Sequence, residues 1–208
     1  MTQEHPTSRY EYSDANLAHT HAYLLPELSV FLDLIKPEKV FELGCGNGAV
    51  AGWMSKRNIE VTAIDYSDSG VLEANRAHPT LRIEVGSAYD DLAMKYGQFP
   101  AVISLEVVEH LYDPRKLAAN LFSLLQPGGH AFVSTPYHGY VKNLALALTG
   151  KMEAHFTALW DGGHIKFFSI ASLKTLLQEA GFVDIKFLRV GRVPWLAKSM
   201  IAIARKPD

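Results

Sequence analysis

The 208 residues contain a single cysteine, Cys45, so no disulfide can form within the chain, and a reducing compartment, the cytoplasm, is expected. There is no basic excess. The 20 Lys and Arg stand against 22 Asp and Glu, a formal charge of -2, which argues against a dedicated nucleic-acid binder. No apolar run approaches the ~20 residues that a membrane-spanning helix needs. The longest candidates, 144–148 and 201–204, are short and sit among polar residues. The opening MTQEHPTSRYEYS lacks the apolar stretch of a signal peptide, and no repeat or low-complexity tract is present. With 48% apolar residues, the composition also excludes a disordered tail or a disulfide scaffold and is sufficient for one buried core.

What is present is an alternation of strand-like and helix-like segments. The first fifteen residues read as irregular. Leu24, Leu28, Phe31, Leu32 and Ile35 then recur at helical spacing, with Pro26 suited to a first turn and Pro37 as a stop. Strands are expected at 39–43, 60–65, 81–85, 100–107 and 130–135. Helices are expected from 48 to 57, from the N-cap Ser67 to Ala77, and from Asp113-Pro114 to about Gln126, where Pro127-Gly128-Gly129 ends the last of them. Such alternation implies right-handed crossovers and a mostly parallel sheet covered on both faces. After a break at 137–165, Ser169 caps another helix that ends before Gly181. The final runs, 182–190 and 199–205, are joined by a gap too short for a crossover helix, so they are expected to be antiparallel neighbours.

The sharpest motif is 40-VFELGCGNGAV-50, a strand followed by a glycine-rich turn and a helix start. Gly44, Gly46 and Gly48 allow a tight turn and close approach of backbone to a ligand, although a plain strand-to-helix turn needs similar residues. The motif has a companion in Asp65, which ends the next strand at the same sheet edge, where a carboxylate can accept both hydroxyls of a ribose. Ser67 is the better N-cap of the two, which leaves Asp65 available for the ribose. Read as Gly44-x-Gly46-x-x-Ala49, the loop also satisfies the dinucleotide fingerprint, so a nicotinamide-dependent oxidoreductase is an alternative. A non-catalytic cofactor-binding subunit is another.

Together these residues resemble the class I S-adenosylmethionine-dependent methyltransferases. The matches are Glu42-x-Gly44-x-Gly46-x-Gly48, Asp65, 99-FPAVISLEVVEHL-111 and 124-LLQPGGHAFVSTP-136. The resemblance implies an α/β, doubly wound, Rossmann-like seven-stranded sheet in one domain, of order 3-2-1-4-5-7-6 with the last strand antiparallel. It divides the chain into an N-terminal helical segment (1–37), a cofactor-binding core (38–136), a substrate lid (137–165) and a C-terminal helix and hairpin (166–208). It implies S-adenosyl-L-methionine as cofactor and S-adenosyl-L-homocysteine as product. Glu42, Gly44, Cys45, Gly46 and Gly48 would flank the methionine part, Asp65 the ribose and Tyr66 the adenine. Ser87 and Ala88 would bracket the adenine edge, and Leu105 would supply backbone near the sulfonium. Where Ser87 stands an Asp or Asn is common, so recognition of the adenine amino group is expected to fall to backbone, Asp90 or Asp91.

The transfer chemistry needs alignment and, for a phenol, a nearby base. Glu106, Glu109 and His110 follow the fourth strand at the ligand-binding edge, and a helix there would bring all three onto one face. A solvated acidic turn is the bland alternative. The string Glu106-Val107-Val108-Glu109-His110 resembles the O-methyltransferases of ubiquinone biosynthesis, in which this patch is associated with a divalent metal. His110 acting as a metal-free general base is the preferred reading. The Asn/Asp-Pro-Pro-Tyr/Phe signature of base methylation is absent after strand four, which points to a small-molecule acceptor: phenolic, quinone-related or glycolipid.

Within 137–165 the candidate acceptor contacts are Tyr137, His138, Trp160 and His164, the last in a 162-GGHIKFFS-169 segment that resembles the substrate side of the same subgroup. His138, His155 and His164 are spaced too widely for a compact zinc motif, and His155 reads as a surface residue. The stretch 140–152 reads first as a helical lid packed on the core. Its second reading is a face that touches a membrane peripherally, with Lys142 and Lys151 beside apolar residues.

Overall fold

The computed structural model describes residues 11–160 and 162–208. Its centre is a seven-stranded sheet of order β3-β2-β1-β4-β5-β7-β6. The strands are β1 (Lys39–Leu43), β2 (Glu60–Asp65), β3 (Arg82–Val85), β4 (Phe99–Leu105), β5 (Leu125–Pro136), β6 (Val183–Val190) and β7 (Ser199–Arg205). The first five run parallel, and β7 runs antiparallel to both β5 and β6, as the short final connection requires.

Strand periodicity sorts the core into two layers. Val40, Ala101, Ile103, Phe132 and Ile201 face one layer, and Phe41, Val102, Ala131, Val133 and Ala202 face the other. The helices α1 (His21–Ile35), α2 (Ala49–Ser55) and α3 (Asp68–Ala77) cover the first face with Leu24, Leu28, Val50, Met54 and Val71. The second face is covered by α4 (Leu92–Tyr96), α5 (Pro114–Leu124) and, further along the chain, α8 (Ile170–Glu179). Ser67, Asp113 and Ser169 cap α3, α5 and α8 through their side chains, and Ser169 forms a capping box with Ser172.

The structure differs from the sequence expectations at several boundaries. Helix α1 starts at His21, so Pro26 lies in its second turn rather than its first, where it removes one backbone donor. Strand β4 stops at Leu105 because Glu106 adopts a left-handed backbone (φ 55°). Helix α5 ends at Leu124, and the chain passes directly into β5, so Pro127-Gly128-Gly129 lies in that strand beside a register shift against β4. Two short helices, α6 (Tyr140–Leu148) and α7 (Met152–Phe156), occupy the break in the rhythm. No residue of α6 is buried, so the expected packing of 140–152 on the core is not what the fold shows. Residues 11–15 are irregular as expected; the rest of that stretch lies outside the described residues. Among the described residues, no helix is long and apolar enough to cross a membrane.

Helix α1 is held by a buried aromatic contact, Phe31 against Phe132 of β5 with ring centroids 5.2 Å apart. Phe31→Ala is expected to cost about 3–5 kcal/mol, read as a lowered urea midpoint. A loss below about 1 kcal/mol would show that α1 does not depend on this contact.

Candidate active site

The carboxyl ends of β1, β2, β4 and β5 meet at one edge, and the loops leaving them carry most of the predicted residues. After β1, Gly44, Gly46 and Gly48 all take positive φ (85°, 53° and 72°), a path that side chains with a Cβ rarely follow. The end of β2 holds this loop. Ile64 O accepts from Gly44 N–H and Cys45 N–H (2.9 and 3.0 Å), and Asp65 Oδ2 accepts from Gly46 N–H at 2.7 Å. Asp65 Oδ1 accepts from Ser67 N–H at 2.8 Å. Burial raises the Asp65 pKa while these amide donors oppose the rise.

Glu42 is buried (2% exposed), and its Oε2 has no hydrogen-bond partner. Desolvation and the neighbouring Asp65 push its pKa well above the ordinary carboxylate value. A buried acceptor left unmatched is costly, so a donor supplied by a ligand fits here. Cys45 is buried and its thiol is pushed well up, by burial first, which makes it an inert lining group rather than a nucleophile. Tyr66 is exposed, Ser87 and Ala88 are half-buried at the start of the loop after β3, and Leu105 is buried at the end of β4. Asp90 Oδ2 accepts from Ser87 N–H (2.9 Å) and Asp91 caps α4. Both acids therefore already hold backbone amides.

The three candidate transfer residues divide. A single 3-10 turn, Val108–His110, stands where a longer helix would have aligned them. Glu106 points toward the sheet, where its carboxylate accepts from Ser134 Oγ (2.7 Å) and Ser199 Oγ (3.2 Å). Burial raises its pKa to about 7, against the opposing effect of those hydroxyls and of Lys142. Glu109 is fully buried. Thr135 Oγ1 donates to its Oε2 at 3.0 Å, while Oε1 has no partner. Burial, and then Glu106, push its pKa well up.

His110 Nδ1 lies 2.9 Å from Gly162 O and 3.2 Å from Gly163 O. Carbonyls only accept, so Nδ1 carries the hydrogen, and in the neutral ring Nε2 carries the lone pair. Burial lowers the His110 pKa, while those carbonyls and Asp65 raise it. His110 and Asp65 thus stand at the same edge of the sheet, close enough to interact electrostatically.

The partner that joins Glu109 and His110 is His164 rather than Glu106. Ligand atoms of Glu109, His110 and His164 lie within 4.8 Å of one another. The His110 and His164 ring centroids are 4.9 Å apart, and Trp160 stands edge-on to His110 at 6.2 Å. His164 is lowered to about 4, by burial first. The set that the ubiquinone subgroup suggests for a divalent ion is thus changed in membership. It brings one carboxyl group and two imidazoles together, a donor set that could hold a divalent ion.

Tyr137 and His138 are buried behind this cluster. His138 packs with His155, Phe156 and Phe167 at centroid distances of 5.4, 5.8 and 5.0 Å, so His155 is part of an aromatic group and not a free surface residue. Sequence reasoning missed the groups that orient the acids and bases: Ser134, Thr135, Ser199 and the Gly162 and Gly163 carbonyls. It also missed Lys142 as a half-buried donor. Lys142 Nζ donates to Tyr137 O at 2.8 Å, and its pKa is lowered to about 8 by burial and Arg192.

A sheet of this order, with a glycine loop and an acid at its carboxyl edge, defines the class I methyltransferase fold. Comparison with known proteins agrees. A family model described as a methyltransferase domain matches residues 12–186, and the chain belongs to that family. S-adenosylmethionine is the family's cofactor, and the unmatched buried oxygen of Glu42 and the half-buried carboxylate of Asp65 fit it. A ubiquinone biosynthesis O-methyltransferase of Thiobacillus denitrificans is 34% identical over 151 residues, covering 69% of this chain and 64% of that protein. One from Psychrobacter arcticus is 28% identical over 177 residues, covering 78% and 68%. The chain thus spans about two thirds of the length of these curated relatives. Among solved structures, a Pyrococcus horikoshii protein superposes with TM-score 0.70 at 16% identity, covering 94% of each chain. An S-adenosylmethionine-dependent methyltransferase from Mesorhizobium loti gives 0.65 at 18%, covering 85% of this chain and 96% of that one. These matches set aside the nicotinamide alternative.

The raised pKa of Glu106 has a definite sign. The folded state holds this proton more tightly than the unfolded chain does, so the stabilisation is complete below the ordinary Glu value and is lost as pH rises through about 7. Glu106→Gln is neutral throughout. Denaturation midpoints of the wild type are therefore expected to fall relative to the variant between roughly pH 5 and pH 8. A difference that does not move with pH would show that Glu106 is ionised in the fold.

Proposed function

We propose that this chain acts as an S-adenosylmethionine-dependent O-methyltransferase on a small phenolic, quinone-related or glycolipid acceptor bound beneath residues 137–165. The supporting observation is the placement of His110. Its Nδ1–H is fixed on the Gly162 and Gly163 carbonyls, and it follows β4 at the same sheet edge as Asp65 and the glycine loop. Glu42, Gly44, Cys45, Gly46 and Gly48 would hold the methionine end, Asp65 the ribose, Tyr66, Ser87 and Ala88 the adenine, with Leu105 beside the sulfonium. Bound there, the cofactor supplies a methyl group on a positively charged sulfur.

The remaining work belongs to the protein. His110, kept neutral by burial, accepts the proton of the acceptor hydroxyl at Nε2 as the new oxygen–carbon bond forms, a contribution of about 10²–10⁴-fold. Glu109 remains protonated and offers a neutral donor beside His110 and His164. Trp160 and His164 provide flat walls for an aromatic ring, with Tyr137 and His138 behind them. In this reading His110 itself takes the proton, without a divalent metal.

The relatives named for ubiquinone biosynthesis suggest an acceptor with a lipid tail, and the surface supports that reading for this chain. On α6, Tyr140, Val141, Leu144 and Leu148 are exposed, and Val193, Trp195 and Leu196 are exposed on the turn that α6 contacts. Lys151 is exposed beside them, while Lys142 turns its Nζ inward onto the Tyr137 carbonyl. An apolar face with a basic neighbour suits an anionic lipid surface, which a cytoplasmic enzyme would visit to collect its acceptor.

Two measurements test this reading. Calorimetry should give micromolar binding of S-adenosylhomocysteine and none of NADH, and His110→Ala should lower methyl transfer by about 10²-fold or more while leaving that binding intact. Unchanged turnover would remove His110 from the chemistry. Flotation with anionic vesicles should carry the wild-type chain upward and Leu144→Glu/Leu148→Glu much less, and a wild type that stays at the bottom of the gradient ends the membrane reading.

A further inference from the structure

Residues 11–18 run without helix or strand across the glycine loop, and they are fastened to residues on both sides of it. Tyr12 N–H donates to Ser69 Oγ at 3.1 Å, beyond the ribose acid at the start of α3. Asn47, inside the loop, donates from Nδ2 to Asp14 O at 2.9 Å and to Asn16 O at 3.0 Å. The same side chain accepts from Ala49 N–H through Oδ1 at 3.3 Å. One buried amide thus starts α2 with its oxygen and holds residues 14–16 with its nitrogen.

The Tyr12 ring is seated on two glycines. A Cβ at Gly46 would lie 2.6 Å from Tyr12 Oη, and one at Gly70 would lie 3.0 Å from Tyr12 Cδ2. At Gly70 the Gly46 carbonyl oxygen, 2.7 Å away, is closer still, so ring and loop backbone together crowd that position. Gly46 is also the residue whose N–H donates to Asp65 Oδ2. Tyr12, the loop and the acid of β2 therefore form one continuous set of contacts.

We propose that residues 11–18 are a strap that retains the cofactor, with Tyr12 as its latch. The inference rests on the cofactor reading above. The ring lies against the backbone that receives the cofactor, so it shields that end from water when seated and must lift for exchange. Release of the spent cofactor is then governed by an aromatic side chain outside the transfer chemistry. Loss of such an anchor acts chiefly on dissociation.

The test measures S-adenosylhomocysteine release by stopped flow for the wild type, Tyr12→Phe and Tyr12→Ala. Tyr12→Ala should dissociate about tenfold faster or more, with association changed much less, and Tyr12→Phe should stay close to wild type because the ring is kept. A second readout is chymotrypsin cleavage after Tyr12 in the wild-type chain, which S-adenosylhomocysteine should suppress. Circular dichroism melts establish that both variants are folded, and should Tyr12→Ala fail to fold, the cleavage assay on wild type decides alone. Unchanged release from folded Tyr12→Ala, or cleavage indifferent to ligand, overturns the strap while leaving the cofactor reading standing. Failure of the wild-type chain to bind S-adenosylhomocysteine overturns both.

Discussion

The working edge of this molecule depends on the last two residues of β2. Ile64 O and the Asp65 carboxylate together hold three successive amides of the glycine loop, those of Gly44, Cys45 and Gly46. Asp65 O also accepts from Gly86 N–H at 3.0 Å, which fixes the start of the loop after β3. Hydrogen bonds to an ionised carboxylate are stronger than neutral ones, and here one carboxylate connects a loop that a left-handed backbone would otherwise leave free to vary. Asp65 thus has two tasks. It builds the loop, and it presents its remaining lone pairs to the crevice that the loop lines.

Around that joint the protein removes charge. Burial raises the pKa values of Glu42, Glu106 and Glu109 and lowers those of His110, His138 and His164, so each group is moved toward its neutral form. Lys142 is moved in the same direction. A crevice of neutral groups strengthens each remaining dipole, because little solvent competes with it. It also suits a reaction in which a cationic centre and a neutral oxygen give uncharged products and a proton. The base for that proton needs a fixed tautomer more than a high pKa, and the Gly162 and Gly163 carbonyls provide it from a segment 52 residues further along the chain.

Most of the strands, the hairpin at the end and the glycine loop were legible because each is written locally, whereas the strand order followed from the family resemblance. Period-two apolar runs, N-cap serines and left-handed glycines all act within a few residues. The grouping of the transfer residues was not legible, because one residue decided it. Glu106 takes a positive φ and turns toward Ser134 and Ser199, which reach it only through the pairing of β4 with β5 and of β5 with β7. His164 takes its place beside Glu109 because the Glu109 carbonyl accepts from Ile165 and Lys166 N–H, a long-range contact that no spacing encodes. Helix α6 was misjudged for a related reason. Its composition is that of a buried helix, but its neighbours are α7 and a surface turn.

Where local rules fail, they fail at the same edge. Glu42 Oε2, Ser104 Oγ and Glu109 Oε1 are buried without a hydrogen-bond partner, and all three belong to the last residues of β1 and β4 or the turn that follows. Each such atom costs on the order of 1–3 kcal/mol, which a fold selected only for stability would avoid by placing an apolar residue there. The opposite end of the sheet shows the contrast. There Lys206 Nζ donates to the Phe122 and Leu125 carbonyls at 2.9 and 2.6 Å, and the polar groups are matched. A concentration of unmatched polar atoms at one edge of the sheet is what a site requires when their partners arrive with its ligands.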